Sequence, residues 1–391
     1  MITIETADKA LKSFYLDAIV DALDVKANPF FAQLEKTAND VVGKDVRRTV
    51  RFGVNGGVNA GTETGDLPKA QSSNYKQFVA PLKNLYGTIE ISDKAIKASA
   101  NSEGAFVNLL NEEMDSLVKS ASINFSRMLF GDGTGCLGSV KAVDGNTLTL
   151  DSVRNMMEGM AVEVYSATGS YNQDLGVRKV LKVNRGNKTI VLSGAPLQDS
   201  GVKATDELFV QGSRGNELTG FKAIFTNSSN TLYGIEKEES EFMQPFQEVV
   251  NGEVTADIIQ KAIDDIEEST GSKINFILCS LGVKRAISSY YRNYQSPIGR
   301  IAINGGFDAM DFNGIPVIAD RFCPEGTMYL LNTNDFKIHQ LCDWQWLEGE
   351  DGKVLKQIAN KPVFTATLVK YAELICDRPG GQGILTGIDE M

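Results

Sequence analysis

Residues 103–130 read EGAFVNLLNEEMDSLVKSASINFSRMLF. Phe106, Leu109, Leu110, Leu117, Ala121, Phe125 and Met128 recur at helical spacing, with Asn108, Glu112, Asp115, Lys119 and Ser126 between them. The run holds no proline, and its one glycine, Gly104, falls in the first turn. At ~1.5 Å per residue the helix would span roughly 40 Å, long for a globular protein. Asn101 or Ser102 can cap its start, and Gly131-Asp132-Gly133-Thr134-Gly135 stops it. With β-rich sequence on both sides, the helix reads as a backbone against which sheets are laid.

The 391 residues suffice for two or three domains, and 42% hydrophobic with 23% charged residues is a folded-protein composition. The net charge of −11 comes with no strongly basic block. Electrostatic gripping of nucleic acid needs clustered Lys and Arg, so that class is disfavoured, whereas merely enclosing nucleic acid is not. Cys136, Cys279, Cys323, Cys342 and Cys376 are scattered and odd in number, without CxxC spacing. That argues against a disulfide framework or a zinc site, and for a reducing compartment. No apolar run approaches the ~18 residues of a membrane span, so no membrane role is expected. Glu5, Asp8 and Asp17 near the start do not suit a signal peptide.

Outward from the helix, residues 7–23 form a short amphipathic helix through Leu11, Phe14, Tyr15, Ala18, Ile19, Ala22 and Leu23. Residues 46–90 read as a two-stranded excursion. Val46–Val54 goes out, Tyr75–Ile91 returns, and the tip carries Gly53, Gly56, Gly57, Gly61 and Gly65. Such a tip is too polar to build a core of its own, and a connection this long is functional or disordered. Beyond the long helix, residues 136–212 alternate short β runs with turn signals such as Asp144-Gly145-Asn146 and Asn184-Arg185-Gly186-Asn187. They suit a small all-β barrel or sandwich inserted into the chain. Mixed α and β patterning then resumes: a helix over 255–269 capped by Thr255, a buried strand 275–280, a helix over 283–291, and strands through Thr365–Cys376. The fold class is α+β.

Catalytic chemistry is hard to assemble from this chain. His339 is the only histidine and sits in a strand-like stretch, as a structural residue would. There is no GxSxG elbow. The pairs Asp264/Asp265 and Glu267/Glu268 fall on the solvated face of a helix. Asp132-Gly133-Thr134-Gly135 follows a helix instead of preceding one, so it is a terminator and not a phosphate loop. Trp344 and Trp346 are expected to straddle a strand, one ring inward. No catalytic residue, cofactor or metal is therefore assigned.

The order of these features resembles the major capsid proteins of tailed double-stranded DNA phages, which share the HK97-type fold. The resemblance is carried by Tyr86-Gly87-Thr88-Ile89-Glu90-Ile91-Ser92 before the helix, and by Phe276-Ile277-Leu278-Cys279-Ser280 leading into another. It continues with Phe312-Asn313-Gly314-Ile315-Pro316-Val317-Ile318, Gly326-Thr327-Met328-Tyr329-Leu330, and the closing run from Lys370-Tyr371-Ala372-Glu373 to Leu385-Thr386-Gly387. It covers nearly the whole chain outside 136–212, and its specificity lies in order and spacing.

The resemblance implies an HK97-like α+β fold with a long spine helix, an extended β-hairpin loop, peripheral and axial domains, and an inserted small all-β domain. Its divisions would be an N-terminal arm (1–45), the extended loop (46–90), the spine helix with peripheral domain (91–135), the insertion (136–212), more peripheral domain (213–244), an axial domain (245–365) and return strands of the peripheral domain (366–391). It also implies self-assembly into pentamers and hexamers of an icosahedral head, in the host cytoplasm, around double-stranded DNA that is not read by sequence. A start almost directly on the arm implies a separate scaffolding protein or a chain numbered after processing, the initial Met favouring the first; a portal is a further implied partner. Arg48, Arg51, Gly56, Gly57, Glu63, Asp66 and Lys69, on or near the loop, are the subunit-contact candidates. The other readings are an encapsulin-type shell, against which the insertion counts, and a carboxylate-dependent hydrolase with a β module, against which the scattered acids count. Leu117→Asp puts a charge on the apolar stripe of the helix and should cost several kcal/mol. Normal soluble yield with cooperative unfolding would take the helix out of the core.

Overall fold

The computed structural model describes residues 28–67, 69–95, 103–197, 201–226, 230–238, 240–293, 299–304, 306–349 and 352–390. The helix expected over 7–23, most of the N-terminal arm and the caps Asn101 and Ser102 lie outside them, as do the side chains of Phe106, Leu109 and Leu110. The long helix runs Glu103–Met128. Its Met114, Phe125 and Leu129 side are buried, with Leu117, Val118 and Ala121 packed beside them.

Two sheets frame this helix. In a five-stranded sheet, Val363–Cys376 pairs antiparallel with Lys83–Ser92 along one side and with Phe336–Trp346 along the other. Short strands Glu35–Thr37 and Lys356–Gln357 complete it. A seven-stranded mixed sheet has the order Phe246–Gly252, Gly383–Ile388, Met328–Leu331, Phe276–Cys279, Ile315–Ala319, Phe307–Phe312, Arg300–Ile303. Its central strand shows why four apolar residues run together. Phe276 and Leu278 face the core shared with the long helix, while Ile277 and Cys279 face a second core. Side chains alternate with period two, and a strand covered on both faces reads as an unbroken apolar run.

The second core is closed by two amphipathic helices, Ala256–Thr270 and Leu281–Asn293, through Ile259, Ile263, Ile266, Val283 and Ile287. Thr255 caps the first by accepting from Ile258 N at 3.3 Å, and Gly271 ends it at φ 66°.

Residues 136–210 form a closed six-stranded barrel in the order Thr189–Leu192, Thr147–Leu150, Cys136–Asp144, Glu207–Val210, Ala161–Tyr165, Arg178–Asn184. Leu148, Leu150, Val162, Val164, Val180, Ile190, Leu192 and Leu208 alternate inward to fill it. Entry and exit are stitched together at the end of the long helix. Phe221 N donates to Leu129 O at 2.7 Å, Lys222 N to Gly131 O at 3.1 Å, and Gly215 N to Thr134 O at 2.7 Å. The first two acceptors lie in the turn that directly follows the helix. Beside them Arg127 makes a two-pronged, fully buried ion pair with Glu217 at 2.5 and 2.9 Å.

Four sequence expectations change. The returning strand Tyr75–Ile91 is two strands. Asn74–Pro81 stays in the ribbon with Asp45–Phe52, while Lys83–Ser92 joins the five-stranded sheet. The break follows Pro81, which has no N–H to donate; Leu82 N still reaches the ribbon, donating to Lys44 O at 2.9 Å, before Lys83 enters the other sheet. Phe336–Trp346, expected within the axial stretch, belongs to the five-stranded sheet, whereas Gly383–Ile388 lies inside the seven-stranded one between Phe246–Gly252 and Met328–Leu331. Trp344 and Trp346 do not straddle their strand: both rings are buried, because residues two apart share a face.

Gly220 lies against the carbonyl oxygens of Met128 and Leu129, where a Cβ would collide with backbone. Gly220→Ala should therefore destabilise the subunit by about 3 kcal/mol. A shift in the urea midpoint measures this, and an unchanged midpoint would show that the neck can relax.

Candidate assembly surfaces

The ribbon of Asp45–Phe52 and Asn74–Pro81 is bound firmly along its length, out to Phe52 where the tip begins. Phe242 stacks on Phe52 at 4.9 Å and lies parallel to Phe78 at 6.4 Å. Val79 N donates to Tyr233 O at 2.9 Å, and Lys76 Nζ to Ser240 Oγ at 2.5 Å. The platform that carries Tyr233 and Phe242 is itself pinned. Lys237 Nζ reaches the carbonyls of Ala223 and Thr226 at the end of the short helix Phe221–Phe225. A cation there suits the negative helix terminus, though burial lowers the Lys237 pKa.

Arg48, a contact candidate, is committed to this stem. Its guanidinium bridges Asp377 at 3.0 and 3.2 Å and Asp40 at 2.8 Å, and those hydrogen bonds raise its pKa despite partial burial. The other candidates lie at the far end. Arg51, Gly56, Glu63, Asp66 and Lys69 are exposed and Gly57 is partly so. Over residues 53–67 and 69–73 the backbone is irregular. Its hydrogen bonds are local: Gly57 N to Asn55 Oδ1 at 2.8 Å, Asn55 Nδ2 to Ser73 Oγ at 3.4 Å, and Gly65 N to Thr62 O at 3.2 Å. Val54, Val58 and Leu67 stand 87%, 85% and 89% exposed. A polar, glycine-rich tip that exposes Val54, Val58 and Leu67 on a rigid stem marks an interaction site and not a core element.

Reactive groups elsewhere are spent on structure. His339 is buried with Nδ1 3.0 Å from Asn39 O. Burial pushes the thiols of Cys136 and Cys279 up to about 11 and about 12, away from the nucleophilic thiolate. Asp264, Glu267 and Glu268 are exposed on their helix and do not converge on a cleft. Among the described residues no group of three or more His, Cys, Asp or Glu is placed to hold a metal. No described helix is long and apolar enough to cross a membrane.

The acid that sequence reading missed is Glu373, fully buried opposite His339 in the five-stranded sheet. Its Oε1 accepts from Thr219 N at 2.8 Å and Leu374 N at 3.0 Å, tying the strand to the chain that leaves the barrel. Burial raises its pKa to about 7 against these hydrogen bonds. The signal was present as an acid inside an apolar run, Tyr371–Cys376, but a strand pattern alone does not distinguish an outward acid from a buried one.

The model of the SU10 major capsid protein family matches residues 3–352. The chain belongs to the SU10 major capsid protein family. It is thus a tailed-phage major capsid protein, a virion component built into the shell in many copies. Its fold is of the HK97 type. Among solved structures, a chain of the cyanophage A-1(L) capsid asymmetric unit is similar at 12% identity and a TM-score of 0.55, over 93% of this chain and 94% of that one. Mycobacterium phage Bobi contributes a chain of 9% identity and TM-score 0.46 that covers 100% of both. The holo-SrpI encapsulin of Synechococcus elongatus PCC 7942 stands at 10% and 0.46, over 93% of this chain and 89% of that one. No curated protein matches.

Glu373 makes the capsid subunit sensitive to pH in a definite direction. Its folded pKa of about 7 exceeds the ordinary 4.5. The folded state therefore holds the proton more tightly, and stability falls as pH rises from the ordinary value through the folded one. Glu373→Gln keeps the acceptor and removes the titration. Relative to wild type it should gain on the order of 2–3 kcal/mol between pH 5 and pH 8. Urea unfolding of unassembled subunits at both pH values measures this; parallel stability curves would refute the assignment.

Proposed function

We propose that copies of this subunit close into an icosahedral head of pentamers and hexamers around the double-stranded DNA genome. On this reading a separate scaffolding protein guides assembly in the bacterial cytoplasm, a portal fills one vertex, and the subunit is not an enzyme. The observation that carries the proposal is the ribbon, with a stem locked by Arg48, Phe52 and Phe78 and a tip that exposes Val54, Val58 and Leu67. A monomer gains nothing from such an arm, whereas a shell subunit buries it on a neighbour. On this reading 46–81 is the extended loop, the Glu103–Met128 helix is the spine of the peripheral domain, and the seven-stranded sheet with its two helices is the axial domain. The net charge of −11 suits a container that must not adhere to packed DNA.

The test is electron microscopy and sedimentation of the protein expressed alone and with candidate scaffolding proteins. Closed shells or angular fragments are expected; persistent monomers in both conditions would overturn the reading. Deleting 53–65 should leave a soluble, cooperatively folded subunit, since the tip packs on no core, yet lower shell yield roughly tenfold or more. Wild-type shell yield from the deletion would remove the tip from the assembly surface.

A further inference from the structure

The barrel does not close against the long helix. Between Ser116–Asn124 of the helix and Met157–Ala161, Lys179, Val183 and Arg185 of the barrel lies an open cleft of about 900 Å³. Ile123, Met160, Val183 and Val210 give it an apolar lining. Its charged residues are Lys119, Lys179 and Arg185, all exposed, against one acid, Glu158. This is a cationic site on a chain of net charge −11. The local sequence sustains it: Arg178, Lys179, Lys182, Arg185 and Lys188 follow one another with no acid between them, a short basic run that the expectation of a chain without a basic block passes over.

The 53–73 tip complements that cleft: it carries two acids, Glu63 and Asp66, against one cation, Lys69. Its acids Glu63 and Asp66 are exposed, and its Val58 and Leu67 are among the most exposed apolar side chains of the described residues. We infer that the cleft between barrel and helix receives the 53–73 tip of a second copy, with Leu67 entering the apolar lining and Glu63 and Asp66 meeting Lys179 and Arg185. The inference rests on the shell reading above and adds the receiving surface to it. It also gives the barrel a task, since without the barrel the helix would offer only one wall. Contacts between exposed charges at a cleft mouth govern approach and register and weaken with salt, whereas the apolar side chains supply adhesion.

A charge exchange tests the pairing. Lys179→Glu with Arg185→Glu reverses the cleft, and Glu63→Arg with Asp66→Arg reverses the tip. Each reversal alone should lower shell yield at moderate salt roughly tenfold, and the four changes together should restore it to within roughly threefold of wild type. Thermal melting of unassembled subunits checks that the fold is intact. Lys141→Glu with Lys203→Glu, an equal charge change on exposed barrel residues outside the cleft, should leave the yield unchanged. Leu67→Ser, on a tip that packs on no core, should lower it without affecting melting. Wild-type yield from the cleft reversal, no rescue by the combined protein, or an equal loss from the control pair would each overturn the inference. Failure of the wild type to form shells under any condition would instead overturn the shell reading on which it rests.

Discussion

Strand Val363–Cys376 carries the rest of the structure. It is hydrogen-bonded to Lys83–Ser92 on one side and Phe336–Trp346 on the other, so it joins segments nearly the whole chain apart; Thr88 and Thr367, 279 residues apart, face each other at 3.3 Å. The helix Glu103–Met128 lies over this sheet, with Leu117 against Gly87, where a Cβ would stand 2.8 Å from Leu117 Cδ1. Arg48 reaches Asp377 just past the strand's end, so the ribbon is anchored to it too. Closing such long-range pairs costs chain entropy before any contact rewards it. The buried polar groups along the ladder help fix a single register: Lys370 pairs with Asp343 at 2.8 Å, and Glu373 accepts from the Thr219 backbone. Asp343, where burial alone would raise the pKa, is held well below the usual carboxylate range by Lys370.

This arrangement separates three mechanical tasks. The two sheets and the long helix form the rigid part, with cores on both faces of the seven-stranded sheet. The barrel has its own core and is attached through a narrow neck, whose one buried ion pair, Arg127 with Glu217, and backbone bonds to the helix end fix its seat. The ribbon has almost no core beyond its stem, and its tip is left to be covered from outside. A buried ion pair contributes little net stability but is costly to break singly, so its place at the neck favours a defined barrel orientation over extra stability.

Much of this was legible in the sequence where periodicity was clean. The helices at 103–130 and 255–269, the alternating strands of 136–212 and the glycine-marked tip all follow from spacing and turn chemistry. The partition of strands between sheets was not legible. Gly383–Ile388 and Phe336–Trp346 are equally apolar, and nothing local says which sheet each will join. Arg48 and Arg51 fall on opposite faces of one strand, and spacing does not say which face is anchored; it is Arg48 that meets Asp377, a partner 329 residues away. The cleft is hidden for the same reason: Lys119 and Lys179 come together only through the seat of the barrel.

The central claim is that the 53–73 tip of this capsid subunit is completed only by assembly. Hydrogen exchange of its amides, compared between unassembled subunits and closed shells, tests that claim most directly. The account predicts fast exchange in the free subunit, with the ribbon stem around Arg48 and Phe78 already protected, and strong slowing across the tip in shells. Equal exchange of the tip in both states would contradict it.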